Sequence, residues 1–281
     1  MLKRTATVTG ALGWGGLIGH TQTARSDEEA KIAYLRLIQQ TRERVERFLS
    51  KKTHADQEQN NKGWTYHPLL GWLLKNGSRL DGVHGSRTFY HYEANGSRRM
   101  LRFAEGQKAR IQTFGNSMTH CDQVSDHETW QNYLAAHFHE PIENYGIGGY
   151  SVYQAYLRYR EVQARRPGEC IILDLHPDDH FRNLDPWRAI RFGRLIPDGF
   201  TLPHLEADAG KGVCVERGNL CPTEESVHRL TDLEFLKKTF LNHPVFDTVI
   251  KTRGLQVLEK NKIPVATGLA LARIDTEEKR R

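Results

Sequence analysis

The feature that most constrains this chain is an alternation of apolar strands and amphipathic helices between residues 110 and 175. "RIQTF" at 110–114, "PIENYG" from 141 and "ECIILDL" at 169–175 predict strands. "SDHETWQNYLAAHF" and "SVYQAYLRYREVQARR", which lie between them, predict helices that begin at capping serines. This βαβαβ order predicts a parallel sheet with helices on its faces, and hence a three-layer α/β/α sandwich.

The remaining elements of this α/β region are less regular. The helix predicted at 125–138 has an apolar face made of Trp130, Tyr133, Leu134 and Phe138. Residues 176–230 show no clear period, so they predict either a functional loop or elements that the pattern fails to resolve. Helices predicted at 231–242 and 244–261 lead to a last strand, "IPVATGLAL", at 263–271.

A helix and a hairpin extension are predicted before the sheet. Residues 26–50 begin with a capping box of Ser26 and Glu29 and carry one apolar stripe. The stripe, which includes Tyr34, Leu37, Ile38, Thr41, Val45 and Phe48, predicts packing on the main domain or, alternatively, oligomerisation through residues 27–49. Turn signals at Asn76-Gly77, Asp81-Gly82 and Asn95-Gly96 predict hairpins.

The sequence therefore divides into four predicted segments. They are a leader or weak signal-like segment at 1–25, the helix and a polar linker at 26–63, the hairpin extension at 64–105 and the α/β domain at 106–281. The basic, weakly apolar start leaves both a cytoplasmic and an exported protein open.

Composition narrows the function classes. Of the 281 residues, 38% are hydrophobic and 26% charged, and no apolar run is long enough for a membrane span. The net charge of +6 comes from Lys and Arg spread among acids, without an aromatic-basic module, so a basic nucleic-acid-binding protein is only the third alternative for the function. The four cysteines form no C-x-x-C pair, and the sequence predicts neither a metal nor a cofactor.

Polar and glycine-rich stretches follow all three predicted strands. They are Gly115-Asn116-Ser117, "NYGIGGYS" at 144–151 and "HPDDHFRN" at 176–183. Because chemistry in a parallel sheet collects at the carboxyl ends of the strands, these stretches predict one site. "GIGGYS" departs from a dinucleotide-binding fingerprint, since Ser151 stands where the third glycine belongs.

In this order and spacing the chain resembles the SGNH/GDSL hydrolase superfamily. That family has a G-D-S block at a strand end, a T-W-x-x-x-L helix, N-x-G-x-x-G and a strand ending in G-x-N-D. The corresponding stretches here are "FGNSMTHCDQVSDHETWQNYL", "ENYGIGGYSVYQAYLRY" and "IILDLHPDD". The resemblance implies a flavodoxin-like SGNH fold and a hydrolase that cleaves a small-molecule or carbohydrate ester, including O-acyl groups, through an acyl-serine.

The resemblance also implies the roles of particular residues. Ser117 is the nucleophile, and its own N–H and that of Gly149 form an oxyanion hole. Asn116 replaces the aspartate of G-D-S, and Asp178 replaces the asparagine of G-x-N-D. An ionised Asp178 would repel an oxyanion, so either Asp178 is protonated or another amide substitutes, for which Asn183 is the nearest candidate.

The base of the family is not apparent in this sequence. The family carries D-x-x-H after its last strand, whereas here only "ARIDTEEKRR" follows. Two acid-x-x-His pairs occur elsewhere, Asp81/His84 and Glu225/His228, a number that chance alone gives. His120, His176 and His180 lie near strand ends, and His228 lies in the segment 176–230 that follows the third predicted strand. Of these, His228 and His180 are the first candidates for the base. We therefore expect a weak or incomplete hydrolase or, alternatively, a non-catalytic binding protein of the same fold.

Overall fold

The structure is a computed structural model that describes residues 28–49, 63–80, 82–176, 179–193, 201–208 and 210–251. The chain divides into two compact units, which are described separately. One combines the N-terminal residues through Leu37 with those from Lys237 onward, and the other is Ile38–Leu236. The strand predicted at 263–271 and the leader at 1–25 lie outside the described residues.

The first unit joins two chain segments that are distant in sequence. Helix α1 runs through residues 28–38, and a short C-terminal helix, α10, spans Pro244–Val249. Lys31 Nζ donates to the carbonyl oxygen of Leu241 at 3.0 Å and pairs with Asp247. The buried rings of Tyr34 and Phe246 lie 5.6 Å apart. This unit is therefore held by an apolar contact and an ion pair between the two segments.

The predicted single N-terminal helix is in fact two helices. After α1, a second helix, α2, spans Arg42–Leu49. Thr41, predicted on the apolar stripe, instead accepts a hydrogen bond at Oγ1 from Arg44 N at 3.3 Å and begins α2. Tyr34, Ile38, Val45 and Phe48 of the stripe are all buried within the chain. The stripe thus packs internally, and the alternative of oligomerisation through it gains no support.

The predicted α/β architecture is confirmed at the level of class. Strands β5 (Ile111–Phe114), β6 (Ile142–Asn144) and β7 (Cys170–Leu173) form a parallel sheet in the order β6-β5-β7. Helices α4 (Trp130–Phe138) and α5 (Val152–Arg165) connect them. Alternation along β5 puts Ile111 in a cluster with Ala135 of α4, and Phe114 in a cluster with Val162 of α5. The two helices therefore pack on opposite faces of β5.

Hairpins are present in the predicted extension, although Asn76-Gly77 does not form a hairpin turn, since the strands before and after it lie in different sheets. Strands β1 (Gly63–His67) and β2 (Gly71–Lys75) pair antiparallel, as do β3 (Gly77–Arg79) and β4 (Thr88–Tyr90). The predicted turn at Asn95-Gly96 is observed, with Gly96 at a φ of +79°. The first hairpin brings Trp72, which is fully buried, against Tyr150 beyond the sheet, with ring centroids 5.3 Å apart.

Expectations about two elements of the α/β region are wrong. Helix α4 begins at Trp130 with Thr129 as its N-cap, after a separate 3₁₀ turn that Ser125 and Glu128 cap, and on its predicted apolar face Tyr133 is 71% exposed and Phe138 49%. The continuous apolar run "ECIILDL" predicts a strand buried on both faces, but within the described residues β7 is a sheet edge and Cys170 is exposed.

Residues 176–230 are not one long loop. Their elements are too short to show a period: α6 (Asp179–Asn183), α7 (Arg188–Phe192), β8 (His204–Asp208), β9 (Val213–Arg217) and α8 (Glu224–Val227). Strands β8 and β9 form a hairpin, and helix α9 (Leu233–Phe240) follows. No helix in the described part of the chain is both long and apolar enough to cross a membrane.

Candidate active site

Ser117 lies directly beyond the carboxyl end of the central strand. Asn116 Oδ1 accepts a hydrogen bond from Met118 N at 2.7 Å and begins the short helix α3 (Ser117–His120), in which Ser117 is the first residue. Ser117 is half-buried, and its hydroxyl has no hydrogen-bond partner among the described residues. The backbone of α3 therefore fixes the position of the Ser117 Cα, and no described side chain fixes the direction of the hydroxyl.

The loops after the three strands meet at this edge, as predicted. Ile147 N, after β6, donates to the carbonyl oxygen of Gly115 at 3.1 Å. After β7, Asp174 Oδ2 accepts from Thr119 Oγ1 at 3.2 Å. A Cβ atom at Gly115 would lie 2.8 Å from the Cβ of Asp174, so a larger residue would push these two loops apart. Gly115 thus permits the close approach that assembles the edge.

Gly149 occupies a tight turn in the loop after β6. Tyr150 N donates to the carbonyl oxygen of Ile147 at 3.1 Å, and Gly149 has a φ of +87°. This is the third position of a type II turn, where glycine is favoured because it lacks a Cβ. Arg188 Nη2 donates to the carbonyl oxygen of Gly149. The N–H of Gly149 has no acceptor among the described residues.

A buried aspartate connects the serine loop to α6. Asn116 Nδ2 donates to Asp179 Oδ2, and Arg182 Nη1 pairs with Asp179 Oδ1 at 2.6 Å. Arg182 Nη1 also donates to the carbonyl oxygen of Tyr150 at 3.2 Å. The side-chain amide of Asn116 therefore acts as a donor to a carboxylate, and α6 supports both the Ser117 loop and the Gly149 turn.

The candidates for an additional oxyanion donor lie in or beside the same helix. Asn183, the last residue of α6, accepts from Tyr153 N at Oδ1 at 2.9 Å, so its oxygen caps the first turn of α5. Its side-chain amide group remains a candidate donor. Asp178 lies outside the described residues, and its expected position at the site stays a prediction.

Neither candidate base is paired with Ser117 in the described contacts. His180 belongs to α6 by its backbone, but its side chain lies outside what the structure describes. His228 begins a 3₁₀ turn at His228–Thr231, where Leu230 O accepts from Gln40 N at 3.0 Å. No described contact joins this turn to Ser117. His84 is exposed at the tip of the β3–β4 connection.

His120, although only three residues after Ser117, is fully engaged elsewhere. Its Nδ1 lies 2.5 Å from Asp122 Oδ1, and its Nε2 lies 2.6 Å from the hydroxyl of Tyr92. Burial lowers the pKa of His120 and raises that of the Tyr92 phenol, so both are neutral near pH 7. We assign the Nδ1–H as donor to Asp122 and Nε2 as acceptor from Tyr92. His120 therefore has no nitrogen left for Ser117.

A buried arginine, Arg98, holds the same part of the chain as His120. Arg98 donates through Nε to Asp126 Oδ1 at 2.9 Å and through Nη2 to Val124 O at 2.6 Å. Its Nη1 donates to the carbonyl oxygens of His120 at 2.6 Å and Cys121 at 3.0 Å. We call Tyr92, Arg98, His120, Asp122 and Asp126 the Arg98 cluster. The cluster fixes the chain that leaves α3, and thereby the direction of Ser117.

Sequence reasoning missed three residues at this edge, Asp179, Arg182 and Arg188. The first two lie in the quoted "HPDDHFRN", where the charged run was a signal that the sequence analysis assigned only in part. No motif or residue spacing around Arg188 indicates a role at this site. No model of a known protein family matches this chain, and no curated protein matches it either. The site is therefore interpreted from its own geometry.

Proposed function

We propose that this protein is an SGNH-type ester hydrolase in which Ser117 is the nucleophile. One observation carries the proposal: a serine hydroxyl without a described protein partner stands at the end of the central strand, beside a glycine turn whose Gly149 N–H is also open. Acyl transfer through a serine requires this combination of a presented hydroxyl and backbone donors.

The finer fold assignment belongs to the same proposal. The strand order β6-β5-β7 is the second-first-third order that begins a flavodoxin-like sheet. In such a sheet the ligand crevice lies between the first and third strands, at their carboxyl ends. Here those ends carry Asn116 after β5, and Asp174 and Asp179 after β7. A three-layer sandwich of the SGNH type accounts for the position of Ser117.

The proposed reaction follows the chemistry of these groups. Ser117 Oγ forms a bond to the ester carbonyl carbon while its proton passes to a base. The carbonyl oxygen becomes an oxyanion, which the N–H groups of Ser117 and Gly149 stabilise. Collapse of this intermediate breaks the bond to the alcohol, which leaves with a proton, and water then hydrolyses the acyl-serine. Asp178 and Asn183 remain the proposed neighbours of the oxyanion.

The base is the open part of this mechanism, with His180 and His228 as its proposed candidates. A serine hydroxyl is a poor nucleophile near pH 7 unless a hydrogen-bonded base takes its proton. Without one, only the residual catalysis of the oxyanion hole and of binding remains, about 10³- to 10⁴-fold over water. A second candidate function is a non-catalytic protein that binds an ester or a related ligand at the same edge. It is favoured because no histidine side chain that the structure describes is hydrogen-bonded to Ser117.

Covalent labelling tests the proposal directly. We expect a fluorophosphonate to label the protein, and Ser117→Ala to abolish both labelling and hydrolysis of p-nitrophenyl acetate. Ser86→Ala, which removes an exposed serine in the hairpin extension, is the matched control and should change neither. If labelling persists in Ser117→Ala, or if the wild-type protein is neither labelled nor active, the hydrolase proposal is wrong. If activity is found, His180→Ala and His228→Ala locate the base.

A further inference from the structure

We propose that Arg188 is a positioning residue of this site, which holds the Ile147–Tyr150 turn so that the Gly149 N–H keeps one direction. The proposal rests on the function proposed above. No described contact joins Arg188 to Ser117, so we assign its effect on the reaction to its contacts with Gly149.

The guanidinium of Arg188 contacts Gly149 on two sides. Arg188 is only 5% exposed, and its Nη2 donates to the Gly149 carbonyl oxygen. Its Nη1 lies 2.7 Å from the place that a Cβ of residue 149 would occupy. The guanidinium also lies over the indole of Trp72, 5.4 Å from the ring centre. A charged group thus fills the space beside the glycine and is itself stacked on a buried ring.

The segment that carries Arg188 is firmly packed. Trp187, Ala189 and Ile190 are all fully buried. Leu202 N donates to the carbonyl oxygen of Pro186 at 2.9 Å, which ties this segment to a second one. A side chain that projects from such a rigid segment can hold its contact in a fixed place, which a residue that supports a functional site must do.

The far end of the turn is held separately. The hydroxyl of Tyr150 donates to the carbonyl oxygen of Trp72 at 2.5 Å, and Arg182 donates to the carbonyl oxygen of Tyr150. Between these fixed points lie two glycines, Gly148 and Gly149. Because neither has a Cβ, the peptide between them is free to rotate from the type II to the type I arrangement, which reverses the direction of the Gly149 N–H. The charge-assisted hydrogen bond of Arg188 favours the observed arrangement.

The test compares Arg188→Met with Arg158→Met. Arg158 is a matched control because it is also 5% exposed and also lies over an aromatic ring, that of Tyr145 at 5.5 Å. It makes no hydrogen bond to the turn in the described part of the chain. We expect Arg188→Met to slow phosphonylation of Ser117 and to lower kcat by about 10²-fold, the effect of losing one oxyanion donor. KM should change little, and Arg158→Met should keep the wild-type rates.

Two further measurements make the outcome decisive. Arg188→Lys can still donate one hydrogen bond to Gly149 O and should recover part of the rate, which a purely structural role of the arginine would not predict. The amide NMR signals of Gly148 and Gly149 should split or broaden in Arg188→Met, a readout that needs no activity. If Arg188→Met does not fold, Arg188→Lys supplies the same two readouts.

The failures of the two proposals are distinguishable. A folded Arg188→Met that is labelled at the wild-type rate, with unchanged glycine amide signals, overturns the role of Arg188 and leaves the hydrolase proposal standing. A wild-type protein that is neither labelled nor active overturns the hydrolase proposal, while the amide signals still report whether Arg188 fixes the turn.

Discussion

Two regions in contact with the chain segment 115–126 differ in whether their polar groups have hydrogen-bond partners. They are the surroundings of Ser117 and the Arg98 cluster. On one side, the Ser117 hydroxyl and the Gly149 N–H have no described partner. On the other, in the Arg98 cluster, the imidazole nitrogens of His120 are both bonded and the guanidinium of Arg98 donates from all three nitrogens. Leaving a buried polar group unpaired costs about 1–3 kcal/mol, so the paired side is the one that stabilises the fold.

This difference teaches which polar residues to assign to support and which to chemistry. Ser117 and His120 are three residues apart on one helical turn, and in sequence either is a candidate for catalysis. The structure separates them by their partners. The comparison predicts that changes in the Arg98 cluster alter stability, whereas changes at Ser117 alter reactivity alone.

The largest effect is expected from Arg98→Met. It removes hydrogen bonds to three backbone carbonyls and leaves the buried Asp126 without its arginine. Breaking a buried ion pair by removing one partner costs about 3–5 kcal/mol. We expect a loss of this size in the free energy of unfolding, measured by urea denaturation. Arg102→Met, at an exposed position four residues on, is the control and should change it little. Equal losses in the two variants would contradict the supporting role of the cluster.

A smaller loss of stability, combined with loss of labelling, is expected from Gly149→Ala. A left-handed φ costs an alanine about 1–2 kcal/mol, and here the new Cβ also meets the Arg188 guanidinium. Gly106→Ala is matched, since Gly106 has a φ of +73° and open space around its Cα. Both variants should lose stability, but only Gly149→Ala should slow the labelling of Ser117. If Gly106→Ala slows it equally, the effect is not local to the turn.

A pH-dependent effect is expected from His120. Burial lowers the pKa of His120 against the opposing charge of Asp122, while Arg98 and Arg79 act in the same direction as burial. The unfolded chain therefore binds a proton near pH 6.5 that the folded chain does not, and stability falls as the pH drops below this value. His120→Gln removes the titrating group, so its free energy of unfolding should vary less between about pH 7 and pH 5, with Tyr92 and Asp122 still able to find partners. A curve parallel to that of the wild type would assign the pH dependence to other groups.

The smallest change in stability is expected from Ser117→Ala. Because the hydroxyl makes no described hydrogen bond, its removal should alter the free energy of unfolding by no more than about 0.5 kcal/mol. Thermal denaturation of this variant beside the wild type checks the prediction. A loss of more than about 1 kcal/mol would mean that Ser117 is a structural residue and would remove the contrast between the two regions.

Local signals in the sequence predicted the elements that position the site. The apolar strands β5, β6 and β7 and the capping serine of α5, Ser151, depend on neighbouring residues alone, and they are observed as predicted. The serine loop and the glycine turn meet because parallel strands end at one edge. These parts could be predicted from the sequence because each depends on a hydrophobic period or on a helix cap of a few residues.

Contacts between distant residues were not accessible in this way. The break between α1 and α2 follows from a hydrogen bond of Gln40 to Leu230, and the pairing of Asn116 with Asp179 spans 63 residues. Strands β8 and β9 have five residues each, too few for their alternation to stand out. Nothing local to Arg188 indicates that it contacts Gly149. The partners of the site were therefore found only once the chain was folded.

The contacts of Lys31 with Leu241 and Asp247 affect the order in which parts of the chain fold during synthesis. Lys31 and Leu241 are separated by 210 residues, and the unit they hold contains both the first described helix and the last. On the ribosome, α1 emerges early, but Phe246 and Asp247, which contact it, are translated only after the whole of Ile38–Leu236. At roughly 5–20 residues per second, α1 waits on the order of ten seconds or more with the apolar side of Tyr34 uncovered. A segment that is synthesised before the larger unit is therefore completed only after it.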